Sequence, residues 1–151
     1  MCVICREKAL EYLTELNNQL LQYGFKSPDM DLYDLEFGKE VVYTDALGCL
    51  HIANQYAIHH TCTTRITWEN GSVSEFSGLS DHKIFFDTFQ SLVGTPIHSV
   101  ILTKENVIEL HVGKNKLEII PCSQSGEQWR FFMPGSSEKY LVLCDGLLQL
   151  E

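Results

Sequence analysis

Thr64-Arg65-Ile66-Thr67-Trp68-Glu69-Asn70-Gly71-Ser72-Val73-Ser74-Glu75-Phe76 is the stretch on which the reading of the fold turns. Thr64, Ile66 and Trp68 alternate with Arg65 and Thr67, the period of two that sends one set of side chains to each face of a strand. Glu69-Asn70-Gly71 supplies a turn and Val73 to Phe76 runs back, so the stretch predicts a β-hairpin.

Moving toward the C-terminus, Ile84, Phe85, Phe89 and Leu92 recur at helical spacing within Asp81 to Val93. They predict a short helix capped by Asp81 or Ser80, beside His82, and stopped at Gly94-Thr95-Pro96. Ile97 to Leu102, Val107 to Val112 and Lys116 to Ile120 read as a three-stranded meander, with Ile108, Leu110 and Val112 on one face and Glu109 and His111 on the other. Trp129 to Met133, a Pro134-Gly135 turn, Tyr140 to Cys144, an Asp145-Gly146 turn and Leu147 to Leu150 complete the series.

Toward the N-terminus, Ala9, Leu10, Leu13, Leu16, Leu20 and Leu21 recur three or four apart. They predict one amphipathic helix from Arg6 to Tyr23, closed by Gly24. Lys26 to Glu36 alternates acidic with large apolar residues after Pro28 and reads as an ordered connector whose apolar half packs down. Strands are expected to open at Gly38-Lys39-Glu40-Val41 and to include about Leu47 to Ile58. Gly94-Thr95-Pro96-Ile97 echoes that first opening, and Val112 to Leu117 echoes the hairpin, which would make two related β units. The expected class is α+β: an N-terminal helix plus a mainly antiparallel β-sheet with a second short helix. One domain spans 1–151, with helix and acidic connector over 1–37 and a β-rich body over 38–151. Its expected core includes Leu13, Leu16, Leu20, Ile66, Trp68, Phe85, Phe89, Leu110 and Leu117.

Composition narrows the function classes. With 151 residues, 44% of them apolar, the chain has enough material for a single core and is not a disordered tail. No apolar run approaches the roughly 18 residues of a membrane span. Twenty acidic residues against 11 basic give a net charge of −9, with no cluster of Lys or Arg, which argues against coating a nucleic acid. Met1 to Lys8 has no apolar segment behind a basic start, so the expectation is a cytoplasmic chain whose six Cys are free thiols.

Leu92-Val93-Gly94-Thr95-Pro96-Ile97, Glu127-Gln128-Trp129-Arg130-Phe131-Phe132-Met133-Pro134-Gly135 and Tyr140-Leu141-Val142 before Gly146 together resemble a family of small uncharacterised bacterial domains. Tyr56-Ala57-Ile58-His59-His60-Thr61-Cys62, Arg65 and Trp68 to Gly71 fit the same pattern, and the likeness covers roughly the last hundred residues. The resemblance is of the immunity-protein kind, small domains that neutralise toxins in bacterial competition. It brings no catalytic residue set.

Four constellations invite chemistry. Cys2-Val3-Ile4-Cys5 has the spacing of a zinc or redox half-site, but a second pair is missing and no strand is expected before it; the competing reading is a frayed terminus. Cys49, His51, His60 and Cys62 could meet across paired strands as a zinc site; against that, Cys62 shares the parity of Thr64, Ile66 and Trp68, the core face. Trp129-Arg130-Phe131-Phe132 offers residues typical of interface anchors, although one face of such a strand would be core. Asp29, Asp31, Asp34 and Glu36, with Glu40, concentrate negative charge: Met1 to Asp45 holds four basic and nine acidic residues. That field would steer a basic partner, or simply solvate a connector. No Gly-x-Ser-x-Gly or His-Glu-x-x-His signature is present, and Gly135-Ser136-Ser137-Glu138-Lys139 reads as a turn rather than a phosphate loop.

The expected function is therefore a non-enzymatic protein-binding domain, an immunity protein for a basic toxin, with Asp29, Asp31, Asp34, Glu36, Trp129 and Arg130 as partner-binding residues. It needs no cofactor, binds no nucleic acid or membrane, and has homodimer formation open. The alternative is a metal-dependent small-molecule binder or enzyme using Cys49, His51, His60 and Cys62.

Overall fold

Period-two alternation governs most of the chain, and the backbone follows it into strands. The computed structural model describes residues 2–136 and 140–151. In chain order it runs Cys2–Val3 (β1), Arg6–Leu13 (α1) with a 3-10 turn at Thr14–Leu16, Leu21–Lys26 (β2), Tyr33–Thr44 (β3), Leu50–His60 (β4), Thr63–Thr67 (β5) and Val73–Phe76 (β6). His82–Gln90 (α2), Ile97–Leu102 (β7), Ile108–Val112 (β8), Asn115–Ile120 (β9), Glu127–Phe132 (β10), Leu141–Cys144 (β11) and Leu147–Leu150 (β12) follow. The result is a mainly antiparallel β structure with two short helices.

The strands form two antiparallel sheets, a seven-stranded one in the order β1-β12-β11-β10-β4-β3-β2 and a five-stranded one in the order β6-β5-β9-β8-β7. The chain passes from the first to the second at Thr61 and Cys62, and returns after β9. Both sheets bury one face in a single core, to which Tyr33, Leu35, Ile58 and Trp129 contribute from the larger and Ile66, Leu110, Leu117 and Ile119 from the smaller. The two hairpins of the internal echo, β5–β6 and β8–β9, lie in the same smaller sheet. Among the described residues no helix is long and apolar enough to cross a membrane.

Several expectations hold closely. Asn70 Oδ1 accepts 2.9 Å from the Ser72 N–H and Gly71 takes φ +86°, which turns β5 into β6. Asp81 caps α2, accepting from the Lys83 and Ile84 N–H groups at 2.9 and 3.0 Å. Leu13, Leu16, Ile66, Phe85, Phe89, Leu110 and Leu117 are completely buried. Trp68 is only half-buried, its Nε1 donating 2.8 Å to Ser74 Oγ, and Leu20 is exposed.

Leu20 marks the main correction. The N-terminal helix ends near Leu16, and the chain enters β2 instead of continuing to Tyr23. Asn18 sits at φ +69°, a left-handed conformation that Asn tolerates and a helix does not. The backbone of 18–21 then bonds across to 94–97: Asn18 N–H to Ile97 O at 2.8 Å, Ile97 N–H to Gln19 O at 2.9 Å and Leu21 N–H to Thr95 O at 3.1 Å. Gly24 is no helix cap; it lies within β2, where Phe89 of α2 covers it.

Two further boundaries move. The connector ends at Leu32, and Tyr33 to Thr44 is one strand, with Gly38 at φ +83° inside a bulge rather than at its start. From Cys2 onward the N-terminal segment is not frayed, since Cys2 and Val3 pair with Leu150 and Gln149 and Ile4 N–H donates 2.9 Å to Leu148 O. A strand therefore does precede Cys5, and α1 follows it, with both thiols exposed and unbridged. Part of the turn read at Gly135 to Lys139, residues 137–139, lies outside the described residues.

Candidate functional site

Strand β3 separates its side chains as its alternation dictates. Tyr33, Leu35 and Phe37 are completely buried, whereas Asp34 and Glu36 point to the opposite face. The register places Asp34 opposite His59 and Glu36 opposite Ala57 on β4. Beyond the bulge, β3 and β4 continue as a two-stranded arm that leaves Val42, Leu47, Leu50 and Ile52 exposed. The base of this arm and the outer face of β2 and β3 enclose an open groove of about 600 Å³. Tyr23 and Phe25 stack along one side with centroids 6.0 Å apart; Asp34, Glu36 and Glu40 supply the charge; Ile52, Ala53 and Asn54 form the other side. No Lys or Arg lines it among the described residues.

Two of the carboxylates are held in place. Asn54 N–H donates 2.8 Å to Glu36 Oε1, and Asn54 Nδ2 donates 3.2 Å to Gly38 O, which fixes the bulge beneath the site. Asp34 Oδ1 lies 3.2 Å from His59 Nε2, and the His59 ring meets Phe132 edge-on at 4.7 Å. Burial pushes the Glu36 carboxyl up to about 7, with the neighbouring Asp34 adding to the rise and the Asn54 N–H opposing it. Burial also raises the Tyr23 phenol, and the Asp34 and Glu36 charges act in the same direction. The groove thus has a negative interior with aromatic and aliphatic walls.

The six residues expected to bind a partner do not assemble. Asp34 and Glu36 share the groove, but Asp29 and Asp31 are exposed on the loop before β3 and are not part of its lining. That loop is organised by Lys26, 1% exposed, whose Nζ donates to Ser27 O at 2.7 Å and Met30 O at 3.1 Å. Trp129 is 0% exposed, with Nε1 donating 3.0 Å to Asn106 O, so it cannot reach a partner. Its strand parity turns it inward, as it does Phe131. Arg130 faces outward, but Glu127 at 2.5 Å and Glu151 at 3.2 Å engage its guanidinium, which also lies 5.3 Å from the Tyr140 ring.

The Cys/His set of the alternative reading is also dispersed. Cys49 and His51 lie at the tip of the arm, where His51 Nε2 is 2.7 Å from Asp45 Oδ2 and its ring stacks on Tyr43. His60, the last residue of the 11-residue β4, and Cys62 just past it lie at its other end, roughly 30 Å away at the usual strand rise. His60 is buried, stacked on Tyr33 at 4.8 Å, with Nε2 2.8 Å from Thr64 Oγ1 and Nδ1 3.7 Å from Cys62 Sγ. Burial holds its imidazole down at about 3 and the Cys62 thiol up to about 12, so both stay neutral. Among the described residues no three His, Cys, Asp or Glu side chains converge as metal ligands.

Asn54, Tyr23 and Phe25 in the groove, and His59 beside Asp34, are the residues that sequence reasoning missed. His59 faces away from the buried His60, but its meeting with Asp34 depends on the register of β3 with β4, which no local signal gives. Asn54 had no local signal, since its contact with Glu36 spans 18 residues. Comparison with known proteins returns nothing: no protein-family profile, no curated protein and no solved structure matches the chain.

Proposed function

We propose that this chain is a non-enzymatic, cytoplasmic protein-binding domain of the immunity-protein kind, and that it docks a basic partner protein such as a toxin through the groove of Asp34, Glu36 and Glu40. One observation carries this reading: three acidic side chains line a single groove between apolar walls, with no cation among its described lining residues. A Lys or Arg of the partner would neutralise that charge while its aliphatic stem covers Tyr23, Phe25 and Ile52. The chain's net charge of −9 adds long-range attraction for the same partner and repulsion for nucleic acid. No Ser, Thr or Cys among the described residues lines the groove, which favours docking over nucleophilic chemistry. In this reading the hairpin echo reflects two related β units that have merged into one sheet.

Capture from the source cells, followed by binding kinetics, tests the proposal. The expected partner is basic, and its on-rate falls as added salt shortens the Debye length from about 10 Å at 0.1 M toward about 3 Å at 1 M. Asp34→Asn with Glu40→Gln lowers the on-rate, while Asp29→Asn with Asp31→Asn leaves it nearly unchanged. A partner whose association ignores salt and the Asp34/Glu40 pair overturns the assignment of the groove. Self-association alone, seen by sedimentation, would replace it with a homodimer.

A further inference from the structure

A second concavity lies between α1 and the ends of β4 and β10, with a volume of about 390 Å³. That falls in the range of small-ligand sites. Its walls are aromatic: Tyr12 from α1, Tyr56 from β4, and Phe131 and Phe132 from β10. Tyr56 and Phe131 lie nearly parallel, 14° apart with centroids separated by 6.0 Å. Lys8, Glu11 and Glu15 stand around the opening, so two carboxylates face one ammonium.

The positions of these three charges differ in kind. Lys8 Nζ lies 3.0 Å from Glu11 Oε2 and 5.9 Å from the centre of the Tyr12 ring, an ammonium already resting on one aromatic wall beside its counter-ion. Glu15 has no cation within ion-pair distance among the described residues; Tyr56 Oη reaches its Oε2 at 3.4 Å. The cavity is therefore left with one carboxylate uncompensated against aromatic walls.

We propose that this cavity binds an organic cation, a guanidinium or alkylammonium head on an apolar stem, with Glu15 as counter-ion and Tyr12, Tyr56 and Phe131 as its walls. Ring faces attract cations through their quadrupoles, and the attraction grows as water is excluded. A neutral apolar occupant would cover Glu15 without compensating its charge, and an anion would meet two carboxylates. The head group can come free, as a small amine or guanidine, or on a protein side chain. The cavity shares no lining residue with the groove of Asp34 and Glu36, so the two assignments fail or hold separately.

The test is an NMR titration of the full chain with Nα-acetyl-arginine amide, tetramethylammonium and the neutral citrulline amide, and with a short Gly/Ser peptide carrying one central arginine. The expected result is saturable shifts at Tyr12, Tyr56, Phe131 and Met133 with the cations and none that saturate with citrulline. Glu15 is exposed, so Glu15→Gln should fold normally and bind about fivefold more weakly. Peptide binding about tenfold tighter than the free amide assigns the cation to a protein side chain; equal affinities assign it to a small molecule. Equal responses to arginine and citrulline, unchanged affinity in Glu15→Gln, or no saturable shift with any cation overturns the proposal.

Discussion

Trp129 and His60 are neighbours across the pairing of β10 with β4, and each carries a polar atom into the core. The Trp129 indole satisfies its N–H on Asn106 O, so truncation removes both the packing of the largest fully buried side chain and the partner of that carbonyl. Trp129→Ala is expected to cost about 3–5 kcal/mol, read from urea unfolding. His60 governs the pH response. Its imidazole titrates near 3 in the fold against an ordinary 6.5, so below 6.5 the unfolded chain takes up a proton that the folded one refuses. Stability that is complete above pH 6.5 is then lost as pH falls toward 3, by about 1.4 kcal/mol per unit. Glu36 acts with the opposite sign. Its carboxyl, raised from 4.5 to about 7, holds a proton in the fold that the unfolded chain releases, a stabilisation complete below 4.5 and lost as pH rises through 7. The half-buried Glu36 offsets part of the His60 effect between pH 4.5 and 6.5. Glu36→Gln should therefore steepen the fall in urea midpoint across that interval and raise the midpoint at pH 8.

At the scale of elements, the close approach of α2 to β2 is decided at one position. A Cβ on Gly24 would come within 2.5–2.7 Å of the Phe89 side chain, and Phe89 is completely buried, so its ring has no solvent to move into. Gly24→Ala is expected to destabilise by about 1–3 kcal/mol, against the usual gain of Ala over Gly in a strand. Phe89→Leu should recover part of that loss in the double variant, a coupling that a urea-based mutant cycle measures. A different contact, the pairing of 18–21 with 94–97, ends the N-terminal helix early. Leu13 and Leu16 repeat at helical spacing and are buried, but Leu20 and Leu21 continue that spacing by coincidence: one is exposed, while the other is buried as the first residue of β2. The partners that claim residues 18–21 for extended structure lie at 94–97, and no local window contains both.

Across the whole molecule, β4 leads through Thr61 and Cys62 directly into β5, and the pairing of 18–21 with 94–97 ties the sheets together again. A shared core with two such ties should unfold as one unit. Trp129 reports on the larger sheet and Trp68 lies at the end of β5 in the smaller, so fluorescence of Trp68→Phe and of Trp129→Phe can each be compared with far-UV circular dichroism of the same variant. Coincident midpoints within each variant are expected; separated ones would mean that the sheets unfold independently. The division between sequence and tertiary structure follows from the range of the interactions. Period-two alternation, the helical spacing of Ile84, Phe85 and Phe89 and local turn chemistry determined the β5–β6 hairpin, helix α2, the β7–β9 meander and the burial of Ile66, Leu110 and Leu117, because each depends on residues within a few positions of one another. Alternation also set Asp34 and Glu36 apart from the apolar residues that alternate with them, but their segment reads as a connector; pairing with β2 and β4 made it a strand. Only the tertiary structure decided that His59 and Asn54 meet Asp34 and Glu36, that Asp29 and Asp31 do not, and that Cys49 and His51 stay far from His60 and Cys62. Those outcomes depend on strand pairing and its register, which are contacts between distant segments that the sequence around each residue does not encode.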